Sequence, residues 1–206
     1  NLDMNEDLAY ALGMLKGDGC VFCKNGSYSI VLDITNKEIA TNFLSSLKKI
    51  GLNPWIKERE PRFTNIQGKL KRHIVTATSK VFGEWYKCLS LDDLRILLKE
   101  EKDMAAFIRG FYEAEGCIYF GKNGKYDIIS LYVYNTDIKL IELFKDLCNN
   151  LCLHFNLNGP YKNDRQFKNS KPIYRLGNSV RDEVYRFMNI VNPCTKNIRG
   201  IINGRI

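Results

Sequence analysis

The sequence contains the same order of structural elements twice, and this internal repeat constrains the fold more than any other feature. Residues 20–30 read CVFCKNGSYSI and residues 117–128 read CIYFGKNGKYDI, so that Lys-Asn-Gly-x-Tyr-x-Ile occurs in both. Asn-Gly between apolar runs is typical of a two-residue β-hairpin turn, because both turn residues need positive φ. Asn25-Gly26 and Asn123-Gly124 therefore each predict a hairpin.

Hydrophobic periodicity predicts a helix on either side of each hairpin, followed by two more strands and a third helix. Each half thus reads α-β-β-α-β-β-α, and we predict an α+β fold of two pseudo-twofold-related units. The predicted units are residues 1–90 and 103–206, with a connector at 91–102. The separation between matching residues grows from 97 to 99 along the second hairpin. We expect one inserted residue in each of its strands, accommodated as a β-bulge.

Charge and cysteine content narrow the classes of function. A net charge of +8 and a pI near 9.1 favour a polyanionic partner. No apolar run approaches the about 20 residues of a membrane span, so we expect no membrane association. The seven cysteines are scattered, which indicates reduced thiols in an intracellular protein. Cys20-x-x-Cys23 lacks a second pair at zinc spacing, and we expect buried thiols there.

Two of the predicted helices carry small residues at a spacing of four and end in an acid followed by Gly-Cys. The stretches are ALGMLKGDG at 11–19 and IRGFYEAEG at 108–116. Small side chains four residues apart lie on one helix face and let two helix backbones approach closely. We therefore predict that these two helices pack on each other at the pseudo-twofold axis. The predicted interface residues are Gly13, Gly17, Gly110 and Ala114.

That packing would bring the acids at the two helix ends, Asp18 and Glu115, side by side. Like charges this close repel, and the negative end of a helix dipole disfavours anions. The arrangement is costly unless a cation lies between the two carboxylates. Carboxylate and carbonyl oxygens are ligands suited to Mg²⁺, which often binds substrate phosphate as well. The two acids thus predict a divalent-metal site for phosphodiester chemistry.

The two stretches resemble the paired motifs of the LAGLIDADG homing endonucleases, in the single-chain form with two motifs. The resemblance covers essentially the whole chain and implies a DNA-binding saddle of antiparallel sheets. It also implies a monomeric, metal-dependent endonuclease of intron or intein homing that cleaves both strands of DNA across the minor groove, leaving 3′ overhangs. The DNA site would be long, either pseudo-palindromic or asymmetric. Mg²⁺ would be the cofactor, with Mn²⁺ or Ca²⁺ as substitutes.

The same resemblance assigns metal ligands. The last motif acid and the carbonyl before it bind metal in the family, which corresponds here to Asp18 with Gly17 and to Glu115 with Ala114. Lys16 departs from the acid that the family usually has at that place, a position expected to be peripheral.

Polar residues where the second strand enters the next helix are implied to support the metal site. They are Asn36 and Lys37 in the first half, and Asn135 and Thr136 in the second. A lysine there could stabilise developing phosphate charge or lower the pKa of a water. The alternative for Lys37 is a solvated residue in the first turn of a helix.

Strand alternation separates the expected core from the expected DNA-binding face. Ile30, Leu32 and Ile34 are expected in the core of the first unit, and Ile129, Leu131 and Val133 in that of the second. Arginine and lysine on the opposite face can read guanine or hold phosphates, although an ordinary solvated basic surface is the alternative. The predicted DNA-binding residues are Ser29, Val31, Asp33, Thr35, Lys57, Arg59, Lys69, Lys71, His73, Ser130, Tyr132, Tyr134, Lys162, Arg165, Lys168, Lys171 and Arg175.

The sequence leaves a second class of function open. An RNA maturase that assists intron splicing, with intron RNA as its partner, or a DNA-binding regulator without catalysis could use the same fold. Many maturases keep the two acids, so the motifs alone do not separate these functions. A pure binding protein has no need to hold two repelling carboxylates together, which favours the nuclease.

Overall fold

The computed structural model describes residues 3–60, 70–161 and 171–194, and it contains the predicted element order in both halves. The first half contains α1 (Glu6–Lys16), β1 (Gly19–Lys24), β2 (Ser27–Ile34), α2 (Lys37–Lys49), β3 (Trp55–Arg59), β4 (Arg72–Thr78) and α3 (Lys80–Cys88). The second half contains α5 (Glu101–Glu115), β5 (Gly116–Asn123), β6 (Tyr126–Asn135), α6 (Ile138–Asn150), β7 (Asn156–Tyr161), β8 (Ile173–Asn178) and α7 (Arg181–Val191). A short helix, α4 (Leu91–Leu97), lies between the halves.

Side-chain caps define where several helices begin. The side chain of Asn5 accepts a hydrogen bond from Leu8 N at the start of α1, and Ser79 accepts one from Phe82 N at the start of α3. Ser90 and Asp93 form a reciprocal capping box at the start of α4. Each cap satisfies amide groups that have no partner within the helix. The connector predicted at 91–102 contains α4 and the first residues of α5.

Each half forms one four-stranded antiparallel sheet, and the two sheets have the same topology. The strand order is β1-β2-β4-β3 in the first sheet and β5-β6-β8-β7 in the second. The α2 and α3 helices pack on the first sheet, and α6 and α7 on the second. Residues Ile30, Leu32, Leu131 and Val133 are fully buried, and Ile129 nearly so, beneath these helices. The predicted α+β class with paired antiparallel sheets is confirmed.

The two halves meet through their first helices, α1 and α5. A Cβ added to Gly13 would lie 2.2 Å from Phe107 O, and one added to Gly110 would lie 2.3 Å from Tyr10 O. The two glycines thus make the same contact in opposite directions, as a pseudo-twofold axis requires. One turn further on, a Cβ at Gly17 would lie 2.4 Å from the Cβ of Ala114. The structure therefore places all four predicted interface residues in the contact between α1 and α5.

The second hairpin differs from its prediction. Asn25 and Gly26 both have positive φ and form the first turn as expected. In the second hairpin Asn123 pairs with Tyr126, so the turn residues are Gly124 and Lys125.

The predicted bulges are also wrong. The strand pairing in the second hairpin is continuous. It runs from the Gly116–Val133 pair at one end to the Asn123–Tyr126 pair next to the turn. The additional residues lengthen the ladder from six pairs in the first hairpin to eight in the second. A regular ladder keeps every backbone hydrogen bond that a bulge would interrupt.

Two residues expected on the open faces of the sheets are buried. His73 is 5% exposed because it is in phase with Val75 and Ala77, which face the core along β4. Ser130 is 1% exposed, and its hydroxyl group forms a 2.8 Å hydrogen bond with that of Ser179. The expectation that His73 and Ser130 are exposed to DNA is therefore wrong.

The prediction that the cysteines of the first hairpin are buried is wrong. Cys20 and Cys23 are both exposed rather than buried. Cys20 lies directly opposite Val31 in the ladder, on the face of the sheet that the helices leave open. The thiols of Cys20, Cys23, Cys88, Cys117, Cys148 and Cys152 are free, as expected for reduced cysteines. Within the described ranges no helix is both long and apolar enough to cross a membrane.

Replacement of Gly110 by alanine tests the helix contact. Alanine in a helix is normally more favourable than glycine by about 1 kcal/mol. Here its Cβ would collide with the backbone of α1, so we expect Gly110→Ala to lower the free energy of unfolding by about 1–3 kcal/mol. Denaturant unfolding measures the change. Ser45→Ala, on the exposed side of α2, is the control and should be neutral or stabilising. A Gly110→Ala protein as stable as the parent would contradict the contact.

Candidate functional site

The two motif acids lie where α1 and α5 end beside each other. Helix α1 ends at Lys16, so Asp18 lies in the turn that follows, whereas Glu115 is the last residue of α5. Asp18 is exposed and Glu115 half-buried. A Cβ added to Gly17 would lie 3.2 Å from Glu115 Cγ. The residue before Asp18 is therefore in contact with the Glu115 side chain, which places the two acids on adjoining segments.

Asn135 fixes the position of Glu115. Its amide nitrogen Nδ2 donates a 3.0 Å hydrogen bond to Glu115 Oε1. Its oxygen Oδ1 accepts a 2.8 Å bond from Asp137 N, just before α6 begins. Both ends of the side chain are thus occupied, and the Glu115 carboxylate is held by a residue whose own orientation is fixed. The family resemblance had implied a place for Asn135 beside the metal site, and its hydrogen bond to Glu115 is found only in the structure.

The corresponding residues of the first half have different contacts. Asn36 caps α2 by accepting hydrogen bonds from Glu38 N and Ile39 N. Lys37 is exposed in the first turn of α2 and close enough to Glu58 to contribute to its lowered pKa, which is mainly due to the hydrogen bond from Lys71. Thr136 is exposed. The two halves of the site are therefore not chemically equivalent.

Lys16 brings a cation to the end of α1. Its Nζ lies 4.9 Å from the centre of the Tyr86 ring, and burial lowers its pKa, an effect that the nearby Asp137 carboxylate opposes. The Tyr86 hydroxyl group donates a 3.3 Å hydrogen bond to Leu15 O, and burial raises its pKa to about 12. A positive charge in the last turn of a helix interacts favourably with the helix dipole.

The donor set at the two helix ends fits a hard divalent cation. Asp18 and Glu115 carry carboxylate oxygens, the residues before them, Gly17 and Ala114, carry backbone carbonyl oxygens, and all of these are oxygen ligands. The glycine at position 17 leaves the Glu115 side chain space that a Cβ would restrict. Among residues 3–60, 70–161 and 171–194, no group of three or more His, Cys, Asp or Glu could hold a metal ion. The candidate ligands at the two helix ends thus include two carboxylates, those of Asp18 and Glu115.

A buried polar cluster between α1 and α5 was not predicted from the sequence. Glu113 is 2% exposed, and its Oε2 accepts a 2.6 Å hydrogen bond from the hydroxyl group of Tyr10 on α1. Its Oε1 accepts a 2.9 Å bond from Cys194 N, after α7. The Arg109 guanidinium lies 4.8 Å from the Tyr10 ring. Burial, together with the Glu113 charge, raises the pKa of Tyr10 far above its usual value, so it remains a donor. One carboxylate thus joins three parts of the chain.

The open face of the first sheet carries an ion-pair network around Asp33. Arg59 Nη2 bonds Asp33 Oδ2 at 2.7 Å, and Arg72 Nε bonds Asp33 Oδ1 at 2.6 Å. Arg72 was not among the predicted DNA-binding residues. The alternation of buried Val75 and Ala77 along β4 was the signal that assigns Arg72 to the open face.

The predicted DNA-binding lysines of the first sheet differ in their contacts. Lys57 is exposed on β3, whereas Lys71 is ion-paired with Glu58 at 2.5 Å and with Glu60 at 3.6 Å. The remaining predicted residues of the first half, Ser29, Val31 and Thr35, are half-buried or exposed. Lys69 lies outside the described residues.

The open face of the second sheet carries tyrosine rings at places where the open face of the first sheet carries charged side chains. The Arg175 guanidinium lies 5.0 Å from the centre of the Tyr132 ring and 5.4 Å from that of Tyr161. The rings of Tyr132 and Tyr134 are 6.1 Å apart. Hydrogen bonding with Ser130 and Ser179 lowers the pKa of Tyr132. Lys171 is exposed, and Lys162, Arg165 and Lys168 lie outside the described residues.

Comparison with protein families agrees with this geometry. A model of the LAGLIDADG-like domain matches residues 5–81 and 102–192, one match in each half. The chain belongs to this family. It is 35% identical over 144 residues to an uncharacterised protein of Methanocaldococcus jannaschii, covering 69% of this chain and 53% of that protein. A second uncharacterised protein of the same organism is 28% identical over 188 residues, covering 90% and 62%. The chain spans little more than half the length of the curated relatives it matches.

Solved structures with the same fold include a homing endonuclease. The structure of I-DmoI bound to DNA and Ca matches with a TM-score of 0.61 and 21% identity, covering 93% of this chain and 92% of that one. Mesophilic variants of I-DmoI match with a TM-score of 0.60 and 20% identity, covering 91% and 96%. The N-terminal LAGLIDADG domain of DUF199/WhiA matches with a TM-score of 0.61 and 12% identity, covering 95% and 89%. At these identities the likeness is one of fold.

Removal of the Tyr10 hydroxyl group tests the buried cluster. Tyr10→Phe would leave the Glu113 carboxylate buried without one of its donors, and we expect the free energy of unfolding to fall by about 1–3 kcal/mol. Thermal or denaturant unfolding measures the loss. Tyr126→Phe is the matched control, because Tyr126 is 75% exposed and should change stability little. Equal effects of the two substitutions would show that the hydrogen bond to Glu113 contributes nothing to folding.

Proposed function

We propose that this protein is a site-specific endonuclease that hydrolyses both strands of DNA with the help of a divalent metal ion. The proposal rests on one observation, the meeting of two acid-bearing helix ends at the joint between the two sheets, with Glu115 held by Asn135. Two carboxylates at the negative ends of two helices repel each other and the helix dipoles. A cation shared by them, next to a phosphodiester backbone, compensates for this cost.

The residues of the site have separate proposed roles in metal binding and orientation. Asp18 and Glu115, with the carbonyl groups of Gly17 and Ala114, would bind the ion, and Mg²⁺ is the proposed cofactor, with Mn²⁺ or Ca²⁺ as substitutes. When bound, the ion supplies Lewis-acid activation of the phosphate and of an attacking water. Asn135 orients the Glu115 carboxylate through their hydrogen bond.

The first half would contribute in a different way. Lys37, on the exposed first turn of α2, would stabilise negative charge that develops on the phosphate, and Asn36 fixes that turn by capping the helix. A lysine is present in this position in one half only. We therefore expect the two DNA strands to be cleaved at unequal rates, across the minor groove and leaving 3′ overhangs.

Double-stranded DNA is the proposed substrate. The two open sheet faces offer basic, polar and aromatic side chains, and the net charge of +8 favours a polyanion. The I-DmoI structures with this fold were obtained in complex with DNA and Ca and with DNA and Mn. A long, pseudo-palindromic or asymmetric site follows from two sheets of unequal chemistry. An intracellular location follows from such a substrate.

The internal duplication supports action as a monomer. Two units within one chain supply the twofold arrangement that a dimer would otherwise provide. The unit boundaries, residues 1–90 and 103–206 with a connector at 91–102, and the role in intron or intein homing stay predictions.

A second candidate function is a DNA-binding regulator or an RNA maturase without nuclease activity. The fold matches I-DmoI, named as a homing endonuclease, and the WhiA domain, which is not named as one, equally well. The choice therefore depends on the acids rather than on the fold. The Asn135–Glu115 hydrogen bond favours catalysis, because it orients a carboxylate that a binding protein would not need.

Substitution of Asp18 tests the nuclease. The protein is incubated with Mg²⁺ and a library of random-sequence DNA duplexes, and newly formed ends are sequenced. We expect wild type to produce double-strand ends at one sequence family. Asp18→Asn should reduce this cleavage by about 100-fold or more, because it removes a charged metal ligand. It should still bind the selected DNA in Ca²⁺.

Glu142→Gln is the control for the loss of one negative charge, because Glu142 is exposed on α6. Its cleavage should equal that of wild type. Undiminished cleavage by Asp18→Asn would contradict the assigned role of this acid. DNA binding without cleavage by wild type would support the regulator, and tight binding of intron RNA without cleavage would support the maturase.

Substitution of Asn135 tests whether the orientation of Glu115 matters. Asn135→Ala removes the 3.0 Å hydrogen bond, and we expect a 10- to 100-fold higher Mg²⁺ concentration for half-maximal cleavage. Titration of Mg²⁺ at fixed DNA concentration measures the change. Asn149→Ala, which makes the same change at an exposed asparagine of α6, should leave the titration unchanged. An unaltered Mg²⁺ requirement in Asn135→Ala would exclude an orienting role for this side chain.

A further inference from the structure

Two arginines occupy equivalent places in the two sheets. In the first sheet Asp33 pairs with Ile74, two residues after Arg72 on β4. In the second sheet Tyr132 pairs with Gly177, two residues after Arg175 on β8. Asp33 and Tyr132 are themselves equivalent at the separation of 99 residues found along this strand. Arg72 and Arg175 are therefore equivalent residues, related by the pseudo-twofold axis, on the two open faces.

Arg72 is held by a carboxylate. Its Nε donates to Asp33 Oδ1 at 2.6 Å, and its Nη2 donates to the backbone oxygen of Asp33 at 2.8 Å. These two bonds fix one edge of the guanidinium plane and leave Nη1 outside the clamp. The side chain of Arg72 is 27% exposed. A guanidinium fixed in this way presents its remaining donors in a defined direction.

Asp33 also offsets the charge repulsion between two neighbouring arginines. Arg59 and Arg72 lie directly opposite each other on β3 and β4, an arrangement that destabilises a sheet when the charges are alike. The Asp33 carboxylate bonds both guanidiniums. The network therefore keeps two cations side by side on the open face, in fixed orientations.

Arg175 is held by aromatic rings instead. Its guanidinium lies near the ring of Tyr132, which is the residue equivalent to Asp33, and near the ring of Tyr161 on β7. The Tyr132 ring extends over Gly177, where a Cβ would lie 2.6 Å from its Cδ1. Arg175 Nε is buried and has no hydrogen-bond partner within the described part of the chain. The two rings thus support the guanidinium of Arg175, and in the part of the chain that the structure describes this guanidinium forms no salt bridge.

We propose that Arg72 and Arg175 each read a guanine at symmetry-related positions of the two DNA half-sites, with Asp33 and Tyr132 as their positioning residues. Planar arginine bonded to O6 and N7 of guanine is the commonest specific contact in the major groove. Phosphate contacts need only a nearby charge, whereas base reading needs a fixed guanidinium plane, and both arginines have one. The inference rests on the proposed function, because it specifies how the same DNA substrate is recognised.

Selection from a random-sequence duplex library in Ca²⁺, followed by affinity measurements at several salt concentrations, tests the inference. We expect wild type to select guanine at two symmetry-related positions. Arg72→Ala should lose about tenfold or more in discrimination at one position and Arg175→Ala at the other. If these arginines only contact phosphates, each substitution would weaken binding to all sequences equally and reduce the salt dependence by about one counterion. That result would overturn the proposal.

The positioning residues give a sharper test. Asp33→Asn should relax guanine selection at the Arg72 position only, while binding to unrelated duplexes stays equal or strengthens, because one negative charge is lost. Glu142→Gln, with the same charge change on α6, should leave selection intact. Tyr132→Leu should relax selection at the Arg175 position, and Tyr132→Phe, which keeps the ring, should restore it.

The outcomes separate this inference from the proposed function. Binding to no duplex at all would contradict both. Sequence-selective binding that is unchanged by Asp33→Asn and Tyr132→Leu would contradict the positioning roles. Selective binding without guanine at either position would contradict the inference alone, and the nuclease proposal would stand.

Discussion

Direct backbone contact between α1 and α5 is the constraint on which the rest of the structure depends. Gly13 and Gly110 allow each helix to touch the carbonyl groups of the other, and no larger residue would permit this separation. The contact fixes the two sheets on either side of one axis and brings the ends of the helices together. The distance between the acids is therefore set by two residues that carry no side chain and take no part in chemistry.

The backbone keeps the symmetry of the duplication, whereas the side chains have diverged. Both sheets have the same strand order, yet a carboxylate supports the arginine of one open face and tyrosine rings that of the other. The acids differ as well, since Asp18 follows its helix and Glu115 completes its own. The molecule thus has two open faces that share one backbone arrangement and differ in their side-chain chemistry.

Features that depend on local patterns could be predicted from the sequence. The element order, the first hairpin turn and the paired glycines all follow from residues within a few positions of one another. The second turn was wrong by one residue, because the length of the β5–β6 ladder, and not the Asn-Gly pair, decides where the chain reverses. His73 was misplaced because basic neighbours suggested an exposed strand, while its phase with Val75 assigns it to the core.

Features that depend on long-range contacts could not be predicted. The Tyr10–Glu113 bond joins residues that are 103 positions apart, and neither residue type alone indicates a buried partner. The support of Arg72 by Asp33 likewise requires the register between β2 and β4, which the alternation of side chains does not give. The role of Asn135 could be anticipated only because a family resemblance named its place.

The Tyr10–Glu113 bond also has a consequence for the history of the chain. At the spacing of 97 residues, the counterpart of Tyr10 is Phe107 and that of Glu113 is Lys16. Two copies of the first half, assembled around the same axis, would therefore face phenol with ammonium and would contain no buried carboxylate at all. Two copies of the second half would place Glu113 against Phe107, which has no hydroxyl group to donate. Divergence of the two halves has therefore produced a hydrogen bond that forms between them and that neither half could form with a copy of itself.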